Sequence, residues 1–195
     1  MRYLLLICVA LLFASCAPRV YETAGLESIA KKHATIAIIQ PKIHYKFERP
    51  DHRNWGLVPE KEVISEGIQV ALVDWVKARR KQGILDIRVL NLDAANARLA
   101  EAGVTDYADM ARELGVDAIL ASRLNYDARI DFAPGMFQFR DECPQSRIYL
   151  NLFTPEEGLI WTYEYGGFHF NGAYDQIVFD LLRNAADRMP YAVAK

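Results

Sequence analysis

The run Asp51-His52-Arg53-Asn54-Trp55 gathers the most reactive-looking side chains of the sequence. A carboxylate, an imidazole and a guanidinium so close together could move protons near neutral pH or grip an anionic group. Asp51, His52, Arg53 and Trp55 are therefore one candidate loop for a ligand or a partner, although the same residue types are ordinary in a solvated loop. Other chemistry finds less to build on. The four histidines, His33, His44, His52 and His169, are scattered, and none has another histidine two or four residues on, so no metal site is expected. There is no GxGxxG after the first apolar run, no HExxH, no GxSxG and no CxxC. Residues 41–47 (PKIHYKF) bring no glycine that would bare backbone N–H groups to a phosphate. No catalytic residue and no cofactor are expected. Arg123, Asp127, Arg129 and Asp131 read as a hydrated ladder of charges along a strand.

A second candidate set is aromatic. Tyr149, Phe153, Trp161, Tyr163, Tyr165, Phe168 and Phe170 crowd one stretch, and Phe132, Met136, Phe137 and Phe139 precede it. Alternation along a strand must turn part of this set into the core. The rest would place Tyr and Trp on an exposed face or edge, a composition favoured at protein interfaces. Phe137, Phe139, Tyr149, Trp161, Tyr163 and Tyr165 form the candidate interface.

These residues must be positioned by a folded domain. The chain has 195 residues, 52% of them hydrophobic, 25% charged and 11% aromatic, which excludes disordered and low-complexity classes and suits one domain. A net charge of −2 gives no global attraction to nucleic acid.

Residues 34–40 (ATIAIIQ), ended by Pro41, read as a strand buried on both faces. Residues 42–61 read as a long loop with an extended piece at 43–47. Apolar residues at helical spacing predict a helix over 61–81, stopped by Gly83. Residues 84–90 form a second strand. Two short helices follow, near 92–101 and 105–114, with Thr105 as the expected N-cap and Gly115 as the stop.

The third strand spans 117–130. One of its faces carries Ala118, Leu120, Ser122 and Leu124; the other carries Ile119 and Ala121, then Arg123 and Asn125. That second face turns from apolar to polar, as if a helix covered only its first half. Residues 147–154 and 159–168 flank Pro155-Glu156-Glu157-Gly158 as a hairpin, and a closing helix is expected over 174–189. This order predicts a three-layer α/β domain with a five-stranded mixed sheet. In chain order the predicted strands lie 2-1-3-4-5, with the antiparallel hairpin at one edge and helices on both faces.

The amino terminus reads as an address. Arg2 precedes an apolar run from Leu4 to Leu12, too short to span a membrane as a finished helix, and Ala14-Ser15 lead to Cys16. Small residues before a cysteine resemble the bacterial lipobox, although Phe13 stands where that pattern usually has Leu. The resemblance implies a signal peptide over 1–15 and a covalent lipid, such as palmitate, on Cys16. A short tether is then expected over 16–33 and a single domain over 34–190. Ala17 after the cysteine, where Asp would retain many such proteins in the inner membrane, implies the periplasmic side of the outer membrane. Cys8 leaves with the signal and Cys16 takes the lipid, so Cys143 has no intrachain disulfide partner.

The element order, with ATIAIIQ, ARELGVDAILASRL (111–124) and EEGLIW (156–161), resembles a group of bacterial envelope lipoproteins. That group shares a fold like the amino-terminal domain of TolB. It includes the lipoprotein activator of penicillin-binding proteins and the curli secretion-channel lipoprotein. The resemblance covers roughly residues 34–188. It implies a non-catalytic module that binds another envelope protein or its own copies and is anchored to the membrane by lipid. No long insertion supplies the membrane hairpins of the curli channel. The reading from a different class is a small-molecule or glycan binder, or a hydrolase, that uses the 50–56 loop.

Overall fold

The computed structural model describes residues 18–47, 61–128, 131–133, 136–138, 147–166, 182–183 and 185–193. The expected signal segment with Cys16, the 50–56 loop, Phe139, Cys143 and residues 174–181 of the expected closing helix lie outside the described residues.

The strand expected from the first apolar run is β2 (Thr35–Ile38). Its side chains alternate into two separate apolar clusters, Ile36 and Ile38 on one face, Ala37 and the following Ile39 on the other. It runs parallel to β4 (Arg88–Val89) on one side and to β5 (Ala118–Ala128) on the other. β8 (Arg147–Thr154) pairs antiparallel with β5, and β9 (Gly158–Gly166) folds back on β8 as the expected hairpin. The order β4-β2-β5-β8-β9 is the expected 2-1-3-4-5.

The sheet has seven strands rather than five. One addition is β3 (Lys42–Phe47), the extended piece, which pairs parallel with the second half of β5. β5 is long enough to take two partners on one side: residues 118–120 face β2, and residues 123–128 face β3. The other addition is β1 (Arg19–Glu22), antiparallel to β9 at the sheet edge, in a stretch that reads as a tether. Its RVYE has no apolar alternation. Backbone groups make the pairing, extended by the Thr23 N–H donating to the Ile160 carbonyl at 3.0 Å, and any residue can supply those. A separate hairpin, β6 (Asp131–Ala133) with β7 (Met136–Gln138), sets Phe132 opposite Phe137 in register.

Four helices are described. The short α1 (Leu26–Ala30) follows β1. α2 (Lys61–Lys81) lays Ile64, Ile68, Leu72, Trp75 and Val76 on one face of the sheet. α3 (Leu92–Ala102) and α4 (Tyr107–Leu114) cover part of the other face with Ala95, Ala111 and Leu114. α4 begins one residue later than expected. Asp106, not Thr105, is the cap, its Oδ1 accepting from the N–H groups of Ala108 and Asp109 at 2.8 and 3.2 Å. Gly115, at φ +65°, then turns the chain out of α4 and into β5. Near the end of the chain, Ala186–Arg188 is a 3₁₀ turn with Leu182, Ala185, Ala186 and Met189 buried. Among the described residues no helix is long and apolar enough to cross a membrane.

Buried polar groups stitch α2 to the end of β2. The Gln69 amide, fully buried, donates to the Ile38 carbonyl at 2.8 Å and exchanges hydrogen bonds with Asn96 of α3 at 3.1 and 3.2 Å. Ser65 donates to the Pro41 carbonyl at 2.7 Å. Where the β2 backbone stops pairing, two α2 side chains complete it.

Candidate functional site

β5 divides the sheet. On its α4 side Ile119 and Ala121 are buried, then Arg123 is exposed and Asn125 half-buried. The expected change from apolar to polar along one face is therefore present, and α4 ends the covered part. The boundary is built by Tyr107 of α4, whose ring packs on Phe153 of β8 with centroids 4.4 Å apart. The Lys42 ammonium sits 5.3 Å from the centre of the same Tyr107 ring.

Beyond this boundary the pairing of five strands sets Lys42, Arg123, Tyr149, Glu164 and Arg19 side by side in one row. The next row on the same face holds His44, Asn125 and Arg147. A third holds Asn151, Thr162 and Tyr21. All of these are exposed or half-buried, with Tyr21 56% exposed, and no described helix lies over them. These three rows carry four cations, Arg19, Lys42, Arg123 and Arg147, against one carboxylate, Glu164, and the row beyond His44 and Asn125 pairs Lys46 with Asp127.

Its side chains are held by one another. The Arg123 guanidinium lies 4.3 Å from the centre of the Tyr149 ring, a cation–π contact. Arg147 donates to the Glu164 carboxylate at 2.9 Å, and Thr162 donates to Asn151 at 2.9 Å. The Tyr149 phenol, by hydrogen bond and charge, and then Glu164 hold the Arg147 guanidinium above even its ordinary range. Tyr149 thus has the Arg123 guanidinium over its ring and Arg147 two residues before it on the same face of β8. A rigid aromatic flanked by arginine loses little freedom when a partner covers it.

The expected interface residues separate by face. Tyr149 lies in the centre of the open rows. Trp161 and Tyr163 point the opposite way and are 1% and 0% exposed. Their rings stack with centroids 6.0 Å apart, within the cluster that holds Leu150, Leu152 and Val76. They belong to the half of the aromatic set that alternation sends inward. Tyr165 is half-buried against that same cluster. Phe137 is on β7, opposite Phe132, and Phe139 lies outside the described residues. Asp51, His52, Arg53 and Trp55 also lie outside them.

Lys42, Arg19 and Tyr21 were not candidates by sequence. The open side of the hairpin had a usable signal: Arg147, Tyr149 and Asn151 share one parity, Thr162 and Glu164 share one on the next strand, and both sets are polar.

Elsewhere, titratable groups serve the fold. The Asp117 carboxylate accepts from the N–H groups of Ala34 and Thr35 at 2.7 and 2.8 Å, tying the start of β2 to that of β5. His33 Nδ1 lies 2.9 Å from the Tyr191 hydroxyl, and burial lowers the imidazole pKa against the opposing pull of Asp117. Burial also pushes the Tyr191 phenol up. Among the described residues no three His, Cys, Asp or Glu side chains are placed to hold a metal ion.

No protein-family model matches the chain, and no curated protein matches it either. Among solved structures, the chain is similar to lipoprotein GNA1162 from Neisseria meningitidis, at 11% identity over 80% of this chain and 95% of that one, TM-score 0.45. It is similar to the LpoB C-terminal domain from Salmonella enterica, at 12% identity over 71% and 92%, TM-score 0.37. It is also similar to a neuraminyllactose-binding hemagglutinin homologue from Helicobacter pylori, at 13% identity over 80% and 81%, TM-score 0.41.

Proposed function

We propose that the chain is a non-catalytic interaction module of the bacterial cell envelope. It is tethered by a lipid on Cys16 at the periplasmic side of the outer membrane, and it holds another envelope protein against the open face of β5, β8, β9 and β1. The observation that carries this reading is the central row, Lys42, Arg123, Tyr149, Glu164 and Arg19, with the Arg123 guanidinium over the Tyr149 ring and no described helix above it. Export and retention are supported by the amino-terminal sequence, in which a short apolar run ends on Ala-Ser-Cys.

The charge of the face selects among occupants. A second copy related by a two-fold axis would bring like charges together on a face whose three rows around Tyr149 hold four cations and one carboxylate, which costs affinity. An acidic surface on a different protein fits better.

The test places a photo-crosslinking amino acid at Tyr149 in living cells, with exposed Glu101 on α3 as the control position. A discrete adduct with another envelope protein is expected from Tyr149 alone, and Arg123→Glu combined with Arg147→Glu removes it. Cys16→Ala is expected to abolish incorporation of labelled palmitate and release the protein from membranes. An unacylated cytosolic wild-type protein, or an adduct indifferent to the charge reversal, overturns the reading.

A further inference from the structure

The far edge of the sheet carries a second, unrelated surface. α2 ends with Lys77, Arg80 and Lys81 exposed, and Gly83, at φ +71°, turns the chain back toward β4. Between the end of α2 and β4 lies an open groove of about 800 Å³. Leu85, Ile87, Val89 and Val193 give it an apolar floor, and Lys77, Arg80, Lys81 and Arg88 stand around it with one carboxylate, Asp86. Basic residues in the last turn of a helix are commonplace, because they offset the negative end of its dipole. Arg88 has no such reason to be there: it comes from the strand. None of these four cations has an ion pair among the described residues.

The backbone at this edge is also incomplete. β4 is the last strand of the sheet on this side. The Arg88 N–H donates to the Ala34 carbonyl at 3.1 Å, and the Leu90 N–H donates to the Ile36 carbonyl at 2.9 Å. The alternate peptide groups, at Ile87 and Val89, therefore turn away from β2 toward the groove. Just before them the chain pairs with the terminal segment on the side that faces β2: Leu85 bridges to Ala192, and the Asp86 N–H, of the same parity as that of Arg88, donates to the Tyr191 carbonyl at 2.9 Å. Among the described residues no strand pairs with the outer edge of β4.

We infer that this groove binds an extended, acidic segment of a partner protein, which adds to β4 as a strand while its carboxylates meet Lys77, Arg80, Lys81 and Arg88. The strand edge supplies backbone hydrogen bonds, the apolar floor takes alternate side chains, and the cations select for Asp and Glu. Anionic lipid headgroups share the charge but have no use for a strand edge. The groove also lies at the opposite side of the sheet from β1, five strand spacings or roughly 24 Å away. Under anchoring through Cys16, just before β1, that places it away from the anchored edge. Only this point of orientation rests on the lipid reading.

The experiment uses the mature protein in detergent and a fluorescent peptide of alternating glutamate and valine, with a lysine-valine peptide as control. Anisotropy is expected to show saturable binding of the acidic peptide only, weakening at least tenfold between 50 and 200 mM salt. Arg80→Glu with Arg88→Glu should abolish it. Val89→Pro removes only the N–H that faces the groove and leaves both hydrogen bonds to β2, so it should weaken binding severalfold at unchanged charge. Lys77→Glu with Lys81→Glu, on the exposed end of the helix, repeats the charge test without touching the strand. Circular dichroism and thermal melting confirm that each variant is folded. Equal binding of both peptides, or acidic-peptide binding indifferent to Val89→Pro in a folded variant, overturns the inference. So does charge-dependent binding to phosphatidylglycerol vesicles without any binding of the peptide. Because no lipid or envelope partner is needed, failure here leaves the proposed function standing, and the reverse holds too.

Discussion

The two faces of the β8–β9 hairpin use similar residues for opposite ends. On the inner face Ile148, Leu150, Leu152, Trp161 and Tyr163 are each at most 2% exposed. On the outer face, one residue along each strand, Arg147 pairs with Glu164 and Thr162 with Asn151, while Tyr149 takes the Arg123 guanidinium of β5 over its ring. An aromatic residue in a strand is therefore not by itself an interface residue. What decides is whether its neighbours two positions away are apolar and a covering layer exists, as for Tyr163, or polar and without one, as for Tyr149. A β-bulge sharpens the point. Register shifts between Leu152 and Phe153, so that Leu152 faces Trp161 while Phe153 faces Leu159, and Ile160 and Trp161 are both buried.

The comparison breaks most visibly in stability. Trp161→Ala opens a cavity in the core and is expected to cost about 3–5 kcal/mol, read by urea or thermal unfolding. Tyr149→Ala is expected to stay within about 1 kcal/mol while weakening capture of the partner from solubilised membranes. If Tyr149→Ala unfolds the protein as Trp161→Ala does, the two faces are not different in kind.

A smaller effect depends on pH. Burial first, then Tyr165, push the Tyr163 phenol up to about 12 against the lowering effect of Arg188. The folded state thus favours the neutral phenol. That contribution is fully present below the unfolded phenol's value near 10 and is lost as pH rises from there through about 12. Stability should fall over that window, and Tyr163→Phe should reduce the fall. Tyr191, also raised by burial, leaves a residue of it. A wild-type protein and a Tyr163→Phe variant with the same alkaline stability profile would show that Tyr163 is not buried as described.

The smallest effect is at neutral pH. Among the described residues the buried Tyr163 hydroxyl has no hydrogen-bond partner, nor has the Trp161 indole N–H. Tyr163→Phe removes an unsatisfied group and keeps the ring, so the change in unfolding free energy should be near zero or slightly stabilising. A loss of more than about 1 kcal/mol would mean that the hydroxyl has a partner.

Much of this arrangement was legible in the chain. ATIAIIQ reads as a strand buried on both faces because an unbroken β-branched run has no polar side to offer water. The strand order follows from the alternation of β and α units and from Pro155-Glu156-Glu157-Gly158. The partial cover of β5 is visible where Ile119 and Ala121 give way to Arg123 and Asn125. Which aromatic residues face out was half legible, through the parity of Arg147, Tyr149 and Asn151.

The amino acids alone determined which segments must leave water and which could be paired in a sheet, since side-chain hydrophobicity and its period are local properties. Tertiary structure alone decided that RVYE becomes an edge strand, that Lys42, Arg123, Tyr149, Glu164 and Arg19 share one row, and that Arg88 joins the end of α2 around a groove. Those outcomes depend on backbone pairing between segments far apart in the chain, and backbone groups are the same in every residue, so no pattern of side chains announces them.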